Sequence, residues 1–196
     1  MQSHAILGRA VVTVVALQAL VGCGYNEIQG LDEETNAAWS EVLNQYQRRA
    51  DLTPNLVNVV KGYAAHERET LEAITQARSQ VGSIKATPEL LKDPEAFKRF
   101  QAVQGDLSSA LSRLLAVAEQ YPDLKSNENF RDLQSQLEGT ENRIAVARKR
   151  YIEKVAQYNT SRGHFPGVIV ANLFGFQREE EFKADPAKRE VPDVKF

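Results

Sequence analysis

Glu67 and Glu141 stand where helical spacing calls for apolar residues. Glu67 falls between Ala64 and Leu71, and Glu141 between Leu137 and Ile144. A carboxylate inside a helical core is costly unless it is paired. The spacing therefore predicts an internal ion-pair or hydrogen-bond network, drawing on Arg49, Glu67, Glu119, Glu141 and Arg148. Two inward glutamates could instead serve a two-metal carboxylate centre. Such a centre needs Glu-x-x-His pairs on two helices. This chain has none, and His66 directly precedes Glu67. Structural pairing is the reading that the residues favour.

Other reactive chemistry is thin. The chain has one cysteine and three scattered histidines, which excludes an intramolecular disulfide framework and a cysteine-based zinc site. There is no Gly-rich phosphate loop, no G-x-S-x-G, no H-E-x-x-H and no C-x-x-C. No catalytic residue, cofactor or metal is expected. A net charge of −2 over 196 residues lacks the basic excess of a nucleic-acid binder. Hydrophobic residues at 42 % and charged residues at 26 % describe an ordinary globular chain.

The one cysteine has a specific setting. Arg9 precedes an apolar run from Ala10 to Val21, interrupted only by Thr13 and Gln18. This matches the charged and apolar regions of a secretory signal. The run is shorter than the ~20 apolar residues that a spanning helix needs. It ends in Leu20-Val21-Gly22-Cys23, which resembles the lipobox of bacterial lipoproteins. That resemblance implies lipid transfer to the Cys23 sulfur, cleavage after Gly22 and acylation of the new amino terminus. Several acyl chains on one residue exceed the single-chain threshold for stable anchoring. The alternative is an uncleaved signal anchor in the cytoplasmic membrane. Cleavage removes Arg9 alone among charged residues, taking the net charge from −2 to −3. No polybasic stretch adjoins the anchor, so electrostatic lipid binding is not a second signal.

The elements that position these residues are helices. Apolar residues step by threes and fours through the body, the helical period. A first helix from about Leu31 to Ala50 carries Trp39, Val42 and Tyr46 on its stripe. Thr53-Pro54 then either starts a second helix or kinks one continuous helix reaching about Val81. Residues 82–94 form a connector, with Thr87-Pro88 and Asp93-Pro94 as helix starts. A third helix carries Phe97, Phe100, Leu107, Leu111 and Leu114, and Pro122 ends it. Ser126 or Asn127 caps a fourth, with Phe130, Leu137, Ile144, Tyr151 and Tyr158, stopped at Gly163. The expected fold is all-α: an elongated antiparallel bundle of three to four long amphipathic helices, with a short apolar helix near the C-terminus.

That last piece, from Pro166 to Phe174 within the apolar segment His164–Phe176, reads first as a lid packed over one end of the bundle. Its alternative is an exposed patch for a membrane or a partner. The division of the chain is then a signal peptide over residues 1–22, a lipidated cysteine and tether over 23–30, a bundle over 31–176, and a charged mobile tail over 177–196, with Phe182 as its one candidate for packing. The run Arg178-Glu179-Glu180-Glu181 reads as solvated surface.

From Gly24 to Phe176 the chain resembles the LemA family. The matching blocks include Arg48-Arg49-Ala50-Asp51-Leu52-Thr53-Pro54-Asn55-Leu56-Val57, Gly62-Tyr63-Ala64-Ala65-His66-Glu67 and Glu119-Gln120-Tyr121-Pro122-Asp123-Leu124-Lys125. Further on come Glu141-Asn142-Arg143-Ile144, Tyr158-Asn159, Phe165-Pro166 and Gly175-Phe176. The resemblance implies a membrane-tethered, coiled-coil-like bundle on the extracytoplasmic side, with no established enzymatic activity. It also implies that Glu67, Glu119, Glu141 and Arg148 are charged positions of the family pattern. The chain departs from that pattern at Tyr151-Ile152, where Tyr-Asn is usual, and in ending its apolar run at a lipobox. Gly24 follows the cysteine in place of an aspartate, which by Gram-negative sorting rules points to the outer membrane. The expected partners are the membrane, through Cys23, and unidentified envelope proteins. Self-association through a leftover apolar face is a further option. The expected function is a membrane-anchored scaffold, or alternatively a lipid-binding or membrane-remodelling protein that uses Val168–Phe176.

Overall fold

The computed structural model describes residues 2–183, with side chains from residue 24 onward. Six α-helices and one 3-10 turn account for the fold, and no strand occurs among the described residues. Helix α1 runs Gln2–Tyr63, α2 Arg68–Ser83, α3 Pro94–Ala118, α4 Pro122–Ser126, α5 Glu128–Gly163 and α6 Gly167–Phe174. The 3-10 turn, Pro88–Lys92, lies in the connector between α2 and α3.

The start signals act as the sequence predicts. The Asp93 carboxylate accepts from the backbone N–H groups of Glu95 and Ala96, opening α3 with Pro94 in its first turn. The Asn127 side chain accepts from the Phe130 N–H and caps α5. Helix α6 ends at Gly175, whose φ of 76° lies in the left-handed region that glycine adopts without penalty. The Phe176 N–H then closes back on the Ala171 carbonyl at 2.9 Å, a Schellman closure.

Pro54 neither starts a new helix nor breaks the first. Helix α1 runs through it. A proline inside a helix lacks the N–H that would bind the carbonyl four residues back. That carbonyl belongs to Ala50, and Arg78 Nε on α2 donates to it at 3.0 Å. The reversal comes later, at residues 64–67. On either expectation the helix carrying Pro54 was to reach about Val81; it is instead divided at this reversal, because α2 folds back to bury Leu71, Ile74 and Ala77.

Helices α1 and α5 form the spine. Their cross-links fix an antiparallel register: Arg143 with Gln45, Arg150 with Glu41, Lys154 with Glu34, and Ser161 with Glu27. Each partner number falls as the other rises. Exposed pairs of this kind contribute about 0–1 kcal/mol each, so they set register more than stability. Stability resides in three stacked apolar clusters. The upper one joins Leu56, Val60, Ile74, Leu107, Leu114 and Leu137 across α1, α2, α3 and α5. The middle one is aromatic, with Trp39, Tyr46, Phe97, Phe100 and Tyr151. The lower one is small: Ile28, Tyr158, Val170 and Ala171.

Two segments depart from expectation. Residues 24–30, expected as a tether, are helical, and Ile28 is fully buried. Residues 177–183, expected as mobile tail, form a strap held along α5. Residues 184–196 of that expected tail lie outside the described residues.

Candidate functional site

The sequence-predicted charges do not form one network; the structure distributes them over three places. Arg49, on α1, is the centre of the first. Its side chain is only 1 % exposed. Nη1 donates to Ser108 Oγ and, at 3.0 Å, to Glu141 Oε1. Nη2 donates to the backbone carbonyl and the side-chain Oε1 of Gln104. Four of its five N–H bonds thus have acceptors on α3 and α5. The fifth, on Nε, has none. The same arginine lies 5.0 Å from the Tyr46 ring centroid. Burial pushes the Tyr46 hydroxyl up, while Arg148 and Arg49 pull it down. Glu141 sits at the rim of the core, its side chain 39 % exposed. Its place in the apolar stripe marks an opening between helices.

Arg148 is two helical turns further along α5 on the same side and does not pair with Glu141. Its guanidinium lies over the Phe182 ring, 4.3 Å from the centroid. Glu67 belongs to the second place, the turn between α1 and α2, where it accepts from the Tyr121 hydroxyl at 2.8 Å. This hydrogen bond holds the proton on the phenol and raises its pKa. Asn127 donates to the Tyr63 hydroxyl nearby, so the two turns at this end are tied together. Glu119 occupies the third place, an exposed pair with Lys125. The separation has a simple cause. Arg49 lies 14 residues, about 21 Å of helix at 1.5 Å per residue, from the end of α1 at Tyr63, and Glu67 sits in the turn beyond that end, too far for one network.

A cavity of about 540 Å³ opens beside Arg49, between α3 and α5. Gln101, Ser109 and Arg113 line its α3 side, and Phe182 closes one end. Among the described residues no group of three or more His, Cys, Asp or Glu is placed to hold a metal ion.

The strap is a feature that sequence reasoning missed. Tyr158 and Tyr151 hydroxyls donate to the carbonyls of Gln177 and Glu180. Asn159 holds the Glu179 backbone at both its N–H and its carbonyl. The Glu180 N–H reaches the Leu91 carbonyl in the connector. Phe182 inserts among Trp39, Phe97 and Tyr151. Glu179, read from sequence as surface, is 1 % exposed, and neither carboxylate oxygen has a hydrogen-bond partner. The signal for the strap was the aromatic Phe182 in a charged run; nothing in the glutamate run marks Glu179 as different from its neighbours.

The other end of the spine carries α6. Val170 and Ala171 are buried against α1 and α5, as a lid requires. Gly167 allows this approach, because a Cβ there would collide with the Ser161 carbonyl. The outer face is not covered. Phe165, Ile169, Leu173 and Phe174 are all more than half exposed, with Phe165 at 78 % and Leu173 at 68 %. The lid reading accounts for one face and the exposed-patch reading for the other. Tyr25 packs edge-on against Phe174 with centroids 4.7 Å apart, and Gly24 lies beside Val170. The surroundings of Gly22 and of the Cys23 side chain, the expected cleavage and lipidation sites, lie outside what the structure describes. Among the described residues no helix is long and apolar enough to cross a membrane.

An all-α spine with a buried arginine and an apolar end helix defines a class of elongated helical-bundle proteins. Within it, the LemA family model matches residues 38–196. The chain is 30 % identical over 200 residues to magnetosome protein MamQ 1 of Paramagnetospirillum magneticum, covering 94 % of this chain and 74 % of the relative. MamQ of Magnetospirillum gryphiswaldense is also 30 % identical, with 93 % and 73 % covered. Protein LemA of Metamycoplasma hominis is 25 % identical, with 84 % and 71 % covered. The chain belongs to the LemA family.

Proposed function

We propose that this protein is a membrane-anchored, non-catalytic scaffold of the cell envelope, seated on lipid by the outer face of α6. The observation that carries the reading is the position of that face. Leu173, Phe174 and Ile169 are exposed, and they lie at the same end of the spine as Gly24, the residue after the lipobox cysteine. Contiguous exposed apolar surface marks an interaction site. Either form of anchor, lipid on Cys23 or an uncleaved N-terminal helix, brings this surface to the membrane. Scaffolding fits the rest of the molecule, where rigid helices present long charged faces. Its protein partners would be other envelope components; the near-neutral, slightly acidic chain does not favour nucleic acid.

Two measurements test this. The intact mass of the protein from native membranes should begin at Cys23 and carry acyl chains. A mass beginning at Met1 would replace the lipid with an uncleaved anchor. Separately, the Cys23→Ser chain should retain weak binding to phosphatidylcholine vesicles, and Leu173→Glu in that background should weaken it at least roughly tenfold, as expected when one leucine is lost from an apolar contact. If Cys23→Ser protein shows no vesicle binding, α6 does not seat on lipid.

A further inference from the structure

The cavity beside Arg49 has the chemistry of a binding site for a small oxyanion. Three guanidinium groups line it, Arg49, Arg113 and Arg148, against the single carboxylate of Glu141. Two buried polar atoms there lack partners, Arg49 Nε and Gln101 Nε2. Both are donors. A buried donor without an acceptor costs about 1–3 kcal/mol, and native structures leave few of them unpaired. Neither atom has surface open to the cavity, so what the cavity lacks is negative charge, with three arginines lining it against one glutamate. Arginine forks match tetrahedral oxyanions better than they match neutral polar ligands.

We propose that this cavity binds a phosphate-type oxyanion, free or carried on a small organic molecule. At about 540 Å³ it exceeds the needs of inorganic phosphate alone. The Phe182 and Tyr46 rings supply an apolar wall for an organic body. The alternative source of the same chemistry, a lipid headgroup of the anchoring membrane, is disfavoured by position. Arg49 lies about 38 Å along α1 from Gly24, at 1.5 Å per residue. Glu141 sets the strength of the site. Its carboxylate already engages Arg49 Nη1, so it competes with an incoming anion and compensates one of the three cations that line the cavity.

The test uses the full chain purified in detergent, titrated with inorganic phosphate and with glycerol 3-phosphate by calorimetry. Saturable binding at about 1 mM or tighter is expected for at least one of them. Arg113→Ala removes an exposed side chain and leaves the core intact; it should weaken binding by about tenfold, the loss of one charge-assisted contact. Glu141→Gln should tighten binding several-fold, although it removes a stabilising ion pair. A purely structural Glu141 would lower the melting temperature and leave phosphate affinity unmoved. Two results would overturn the assignment. One is the absence of saturable binding of either probe. The other is affinity that is the same in wild type, Arg113→Ala and Glu141→Gln. A vesicle arm separates the sources: if Arg113→Ala loses binding to phosphatidylglycerol vesicles while neither soluble probe binds, the ligand is a lipid headgroup and the soluble assignment fails.

Discussion

Glu179 carries an uncommon charge problem for so small a core. Burial pushes its pKa up to about 7, Asp32 on α1 adds to the rise, and Lys92 in the connector partly offsets it. The unfolded chain holds a glutamate near its ordinary value of 4.5. The folded state therefore binds this proton more tightly, and its stabilising effect is complete below about pH 4.5. It is lost as pH rises through about 7. Thermal stability should fall between pH 5 and pH 8, with Trp39 fluorescence reporting release of Phe182, whose ring centroid is 6.1 Å from that of Trp39. Glu179→Gln should flatten this part of the profile and be the more stable protein at pH 8. An unchanged pH profile in Glu179→Gln would mean that the strap is not held against this charge. The comparison also shows what spacing reveals about single residues. Arg49 and Glu141 were legible because a stripe gap in one helix matched an available cation in another. Glu179 was not, because its burial depends on Asn159 and two tyrosines that pin the strap across separations of 19, 20 and 29 residues.

At the scale of elements, periodicity and caps gave the helices their faces, and Asp93 and Asn127 gave two of them their starts. The stripes Phe97–Phe100–Leu107–Leu111–Leu114 and Phe130–Leu137–Ile144–Tyr151–Tyr158 are buried as spaced. What periodicity could not supply was the place where α1 reverses. Residues 64–67 contain no proline, and the local signal was stronger at Pro54. Tertiary contact overrode it, since Arg78 supplies the hydrogen bond that Pro54 cannot. This compensation is testable as a coupling. Arg78→Met should cost about 1 kcal/mol in urea denaturation by leaving the Ala50 carbonyl without that donor. Pro54→Ala should stabilise, because residue 54 then donates to Ala50 itself. In the Pro54→Ala background, Arg78→Met should cost clearly less than alone. Strict additivity of the two substitutions would show that Arg78 acts by packing on α1 rather than by replacing the missing bond.

For the whole molecule, the consequence of this architecture is distance. From Gly24 to Tyr63 helix α1 rises about 60 Å at 1.5 Å per residue. Three apolar clusters follow one another along that length, and ties between Glu67 and Tyr121 and between Tyr63 and Asn127 close the far end. On the proposed seating by α6, the far turns stand well clear of the headgroups, and the cavity beside Arg49 stands partway up. A fluorophore at Leu173 should be quenched by headgroup-labelled lipids when the anchored protein is reconstituted. One at Ser126, in the α4 turn at the opposite end, should not be quenched, since 60 Å exceeds the reach of contact or short-range transfer. Gly167→Ala supplies a control at the same scale. It forces α6 off the Ser161 carbonyl, and should reduce quenching at Leu173 without bringing Ser126 any closer. Equal quenching at both positions would mean that the spine lies flat along the membrane. In that case its charged α1–α5 face, rather than its far end, would be what the anchored protein presents to the envelope.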